Sequence, residues 1–225
     1  KKILPLVNII LCLLLVSRKM SNSYNIKSYC KIKNNQIALN GNVLFEDESI
    51  SFLDFIKAAY KSQCMKYPKF FKMDNLSKLA FIAADVLLKN EHINPKEDND
   101  IAIVFSNKSS SLDTDRKHQE SIQNKESYYP SPAVFVYTLP NICIGEISIK
   151  YKLYSENSFF IFDNFNAAHL YSYTNSLLSS EKATQVLCGW VEFDDENNYE
   201  AFLYLVAKEG QINHSENDII TLYNT

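Results

Sequence analysis

Glycine is scarce, with four residues in a chain of 225. A loop that wraps phosphate needs several glycines so that backbone N–H groups can close on the ligand, so a Gly-rich nucleotide cradle is not expected. No Cys-x-x-Cys pair occurs, and the five cysteines, Cys12, Cys30, Cys64, Cys143 and Cys188, are odd in number and widely spread. That pattern argues against a disulfide framework and against a structural zinc site, and it predicts small, buried, reduced thiols. An excess of one charge is missing too. The 23 basic and 26 acidic side chains are interspersed and leave a net charge of −3, without the basic stripe that a nucleic-acid backbone demands. No metal and no other cofactor is expected. Long hydrophobic runs are nearly absent. The one candidate, Ile3 to Val16 behind Lys1 and Lys2, is interrupted by Pro5 and Asn8 and is too short to span a bilayer comfortably. As a secretory signal it ends badly, on Ser17-Arg18-Lys19-Met20, where small residues should sit. Residues 1–19 are therefore read as a leader outside the mature domain, with a signal or anchor as the alternative. Residues 20–225 are read as a single cytoplasmic domain.

What is present is apolar and aromatic: 46% hydrophobic residues, including 14 Tyr and 14 Phe, ample for a sizeable core. Tyr24 to Phe45 alternates and breaks at Asn34-Asn35, which predicts a short hairpin. Phe52 to Tyr60 has the spacing of a short helix. Leu76, Leu79, Ala80, Ala83, Val86 and Leu87 mark one face of a longer one, capped by Asp74 or Asn75. Ile101 to Phe105 is apolar on both faces, as a buried central strand is. Ser109 to Asn124 reads as a surface helix with Asp113 and Asp115 in its first turn. Tyr129-Pro130-Ser131-Pro132 predicts an extended connection, and Pro140 suits the first turn of a helix within the apolar stretch Ala133 to Tyr151. Phe159 to Phe162 follows as a strand, then a polar turn over 163–166. An amphipathic helix comes next, through Ala167, Leu170, Tyr171, Thr174, Leu177 and Leu178. Val186 to Phe193 and Ala201 to Ala207 are two further strands, and Ile219 to Tyr223 a weak last one. Strands alternating with helices indicate a layered α/β domain, a mixed sheet with helices on its faces.

Four stretches, in this order and spacing, resemble the N-terminal half of β-ketoacyl-acyl-carrier-protein synthases, members of the thiolase-like fold. They are Tyr67-Pro-Lys-Phe-Phe-Lys-Met-Asp-Asn-Leu-Ser-Lys-Leu79, Asp100-Ile-Ala-Ile-Val-Phe-Ser-Asn107, Ser131-Pro-Ala-Val-Phe-Val-Tyr-Thr-Leu-Pro-Asn-Ile142 running on to Gly145, and Cys188-Gly-Trp-Val-Glu192. The likeness is to short ketosynthase-like proteins of aryl-polyene and flexirubin pigment pathways. In that family a cysteine follows a buried strand and opens a helix, whose positive N-terminus lowers the thiol pKa while backbone N–H groups hold the oxyanion. Counting back from Gly189 places that position at Asn164, between Asp163 and Phe165, where no Cys, Ser or Thr stands. Asp163 and Asn164 are good capping residues, so the strand–turn–helix is expected to survive without its nucleophile. The family's catalytic histidines lie in a C-terminal half for which this chain has no counterpart.

The resemblance thus implies a non-catalytic, chain-length-shaping partner of a full-length 3-oxoacyl-acyl-carrier-protein synthase, or a self-dimer. The apolar run Phe159, Phe160, Ile161 and Phe162 is the candidate interface, and acyl carrier protein is a further candidate partner. Two alternatives stand beside it: an active condensing enzyme that uses Cys143 or Cys188 with a partner's histidines, and a monomeric module that binds acyl carrier protein or a pigment precursor. Other constellations read blandly. Asp113, Asp115 and His118 make a solvated helix start rather than a metal site. His169 is a structural histidine one turn into its helix, and Ser109-Ser110-Ser111 lacks the glycine frame of a nucleophile elbow.

Overall fold

A computed structural model describes residues 23–48 and 51–225, with only the backbone of Ser127. The predicted leader, residues 1–19, and Cys12 with it, lie outside the described residues. Among the described residues eight strands form one sheet: β1 (Asn25–Lys33), β2 (Gln36–Leu39), β3 (Asn42–Glu46), β4 (Ile101–Asn107), β5 (Asn157–Ile161), β6 (Gln185–Asp195), β7 (Asn198–Ala207) and the two-residue β8 (Ile212–Asn213). Their order is β3-β2-β1-β7-β6-β4-β5, with β8 beside the start of β1. β4 pairs in parallel with β5 and β6, and every other pairing is antiparallel.

Helices cover both faces. On one face α1 (Phe52–Ser62), α2 (Asn75–Asn90) and α5 (Ile142–Tyr151) pack Phe55, Leu79 and Ile147 against Cys30, Ile103, Leu187 and Leu203. On the other, α6 (Ala167–Ser179) and α7 (Glu216–Asn224) pack Leu170, Leu177 and Ile219 against Val104, Cys188, Tyr204 and Val206. Alternate residues of β1, β4, β6 and β7 therefore feed two separate cores. Between β4 and α5 the chain forms α3 (Leu112–Ile122) and the short α4 (Pro132–Val136). α3 lies beside the start of α2, where Thr114 donates to Asp74.

Local chemistry explains the well-read elements. Asn34 and Asn35 both adopt left-handed backbone, φ 50° and 56°, as a two-residue hairpin turn requires. A second such turn at Asn40-Gly41 adds β3, so the expected hairpin is a three-stranded meander. Asp74 caps α2 by accepting from the Ser77 N–H at 3.0 Å. The helix is buried on nearly every side rather than along one stripe, since Phe81, Ile82, Ala84 and Leu88 are enclosed as fully as Leu79.

Three expectations need correction. The extended connection ends sooner than read, because Ser131 caps α4 and Pro132 occupies its first position. Pro140 stands between α4 and α5, ahead of the cap Asn141, rather than in a helical turn. Ile219 to Tyr223 is helical: Ser215 accepts from the Asp218 N–H at 3.1 Å, Glu216 and Asp218 fill the first turn, and the resulting α7 covers sheet that a bare half-fold would expose.

Candidate functional site

The turn between β5 and α6 is where the resemblance puts a nucleophile. β5 ends at Ile161, and the Phe162 N–H donates to the Asn107 carbonyl at 2.9 Å, which fixes where the chain leaves the sheet. The strand–turn–helix forms as expected, but its cap differs. Asn166 caps α6, its Oδ1 accepting from the His169 N–H at 2.9 Å, while Asp163 and Asn164 lie exposed in the turn before it. No residue from 162 to 169 carries a thiol or an aliphatic hydroxyl, so the register of the count does not matter. The turn borders an open depression of about 490 Å³, walled by residues 162–168 and by Glu216 and Ile220 of α7.

Aromatic rings close around this turn. Phe165 stacks on Tyr223 with centroids 4.0 Å apart and meets the rings of Trp190 and Phe202 edge-on. His169 lies among Phe160, Phe162 and Tyr173, at 4.4, 4.9 and 5.8 Å, with its Nε2 buried and unbonded. That is the packed histidine read from the sequence.

The thiols are remote from chemistry. Burial pushes Cys188 up to about 12, and burial, with the Asp74 carboxylate adding to it, raises Cys143 well above the usual thiol range. Neither forms a thiolate readily, which weighs against the reading of an active enzyme built on either sulfur. Cys64 is exposed. Asp113 binds Lys117 and Asn75, Asp115 takes the Ser111 hydroxyl, and His118 packs on Phe135. Among the described residues no group of three or more such ligands converges on a metal position. Ser109 to Ser111 are spent on the loop after β4, the Ser109 N–H on Glu192 and the Ser111 hydroxyl on the Thr138 carbonyl.

The candidate interface lies on an edge strand. Among the described residues β5 pairs with β4 alone, so its other side is a sheet edge. Phe159 and Phe160 turn inward to opposite cores, Phe162 packs against His169, and Ile161 is 49% exposed. The run is therefore less of a bare apolar patch than its sequence suggested: one side chain and a strand edge remain on offer. No helix among the described residues is long and apolar enough to cross a membrane.

Neither a family model nor a curated protein matches the chain. Solved structures do. The ishigamide ketosynthase/chain length factor superposes with a TM-score of 0.56 at 16% identity over 82% of this chain, which spans 62% of that one. A ketosynthase in complex with its chain length factor from Xenorhabdus doucetiae gives 0.57 at 13% identity, covering 90% of each chain. A β-ketoacyl synthase from Burkholderia phymatum STM815 gives 0.56 at 11% identity over 83% of this chain and 59% of that one. At such identities the likeness is one of architecture, and the chain has the thiolase-like fold found in these ketosynthases and chain length factors.

Proposed function

We propose that the chain, with residues 20–225 as its single domain, is a non-catalytic subunit accompanying a full-length 3-oxoacyl-acyl-carrier-protein synthase. It would act in fatty-acid or polyketide biosynthesis of the aryl-polyene type and shape the length of the acyl product. The observation that carries this reading is the β5–α6 turn, which keeps the strand, the bend and the capped helix and has neither the thiol nor a hydroxyl to attack a thioester. The open edge of β5 supports assembly through that strand, since unpaired N–H and C=O groups are a template for another chain. The two-way coverage against a ketosynthase complexed with its chain length factor supports a half-length partner of this kind. The test is co-expression with full-length ketosynthases of the same organism, followed by pull-down and product analysis. A co-purifying complex and a product length that depends on this chain are expected. Recovery of no complex, with unchanged product, overturns the proposal.

A further inference from the structure

At the end of α6 remote from the β5–α6 turn, 13 residues and about 20 Å along the helix, lies an open hollow of about 510 Å³. It sits at the foot of the sheet, where β1 and β6 begin and β7 ends. Leu178, Ala183 and Ala207 give it an apolar lining. Two polar side chains also line it, and each keeps a buried atom unpaired. Tyr24 is 5% exposed and its hydroxyl has no partner; Gln185 is half-buried and its Oε1 has no donor. Buried polar atoms are paired almost everywhere in folded proteins, and ligand pockets set a few such groups in an apolar wall. A hydroxyl and an amide carbonyl left over in the lining of one hollow therefore mark it for a ligand.

The wall is built to hold its shape. Thr184 donates its N–H and its hydroxyl to Asp100, at 3.0 and 2.9 Å, and so fixes the approach to Gln185. Across the hollow, the Asn25 side chain donates to the Lys208 carbonyl at 3.0 Å. Gly210 lets the same loop cross β1 closely, since a Cβ there would lie 2.7 Å from the Ile26 carbonyl oxygen. Charges of both signs stand around the opening. Lys27 is taken by Glu91 at 2.9 Å. Lys208, Glu181 and Glu209 are exposed and form no ion pair with any described residue. α6 ends here with no basic residue in its last turn, so the negative end of its dipole adds to Glu181.

We propose that this hollow binds a free α-amino acid with a small apolar side chain, held as its zwitterion. The carboxylate is matched by the Tyr24 hydroxyl and the Lys208 ammonium. The ammonium group is matched by Gln185 Oε1 and by Glu181 beside the end of α6, and the side chain by the apolar lining. A carboxylate alone would face Glu181 and Glu209 uncompensated. An amine alone would leave the Tyr24 O–H and Lys208 unused. The hollow contains no residue of β5 or of the β5–α6 turn, so it stands or falls separately from the assembly proposed above.

Titration of the full chain with L-leucine, followed by saturation-transfer NMR on the ligand, is expected to show saturable binding. Isocaproate, which lacks the ammonium group, and isoamylamine, which lacks the carboxylate, should each bind about 10-fold more weakly. Tyr24→Phe keeps the ring, drops the hydroxyl and is expected to weaken leucine about 5-fold. Lys208→Ala, at an exposed position that tolerates substitution, should weaken leucine by a similar factor and leave isoamylamine unaffected. Absence of saturable leucine binding overturns the site, as does equal binding of leucine and either analogue. An unchanged leucine affinity in both variants overturns it too, because the amino acid would then be held elsewhere.

Discussion

Gly189 stands where β6 runs closest to β7. Its φ is +154°, and a Cβ there would lie 2.0 Å from the Phe202 carbonyl oxygen, a backbone atom with nowhere to go. Gly189→Ala is expected to destabilise the fold by at least ~2 kcal/mol, read as a fall in the urea midpoint at unchanged slope. His214 makes a different demand. It is 4% exposed between the rings of Tyr171 and Tyr204, its Nδ1 shares a hydrogen bond with Asn175 Oδ1 at 3.1 Å, and burial lowers its pKa from 6.5 to about 4. Because the folded form resists protonation, the unfolded chain binds more protons between those two values. Stability from this residue is complete above about pH 6.5 and is lost as the pH falls towards about 4, by up to roughly 3 kcal/mol. Urea unfolding at about pH 7 and about pH 5 checks this; His214→Asn should flatten the difference, and an unchanged pH dependence would exclude His214 as its source.

Between elements, buried charge decides how α5 sits on α2. Asp85, 1% exposed, receives Lys150 from α5, the Tyr151 hydroxyl at 2.6 Å, and Lys89 one turn along its own helix at 2.8 Å. Removing the carboxylate strands Lys150 in a place it cannot leave. Asp85→Ala is expected to cost about 3 kcal/mol, and pairing it with Lys150→Met should recover much of that loss, as measured by thermal unfolding of the single and double variants. Elements of this kind were legible where local rules and burial agree. Ile101 to Phe105, apolar throughout, is a strand with no exposed residue, and the Asn34-Asn35 break is the turn it resembled. α7 was missed because Ile219, Ile220 and Leu222 read as a short β-like run, although Ser215 and Asp218 carry the spacing of a helix start. Three good capping residues, Asp163, Asn164 and Asn166, precede α6, and only the length of β5 selects the third.

Across the whole molecule the two rims of the sheet are unlike. β5 closes one side with an uncharged strand and an exposed Ile161. Ile161→Lys is expected to leave monomer stability within ~0.5 kcal/mol, the usual range for an exposed position, while abolishing co-purification with a ketosynthase or self-association in light scattering. A complex undiminished by that change would place the contact elsewhere. The opposite rim, β3, is five residues long, pairs with β2 through an irregular register, and runs into Glu46, Asp47 and Glu48. Irregularity and acidic charge discourage a neighbouring strand from adding there, although Val43 and Leu44 are exposed on it. An endless ribbon needs two adhesive borders. Assembly through β5 alone, as proposed, terminates at a pair, so raising the concentration should yield a plateau in particle size rather than fibres.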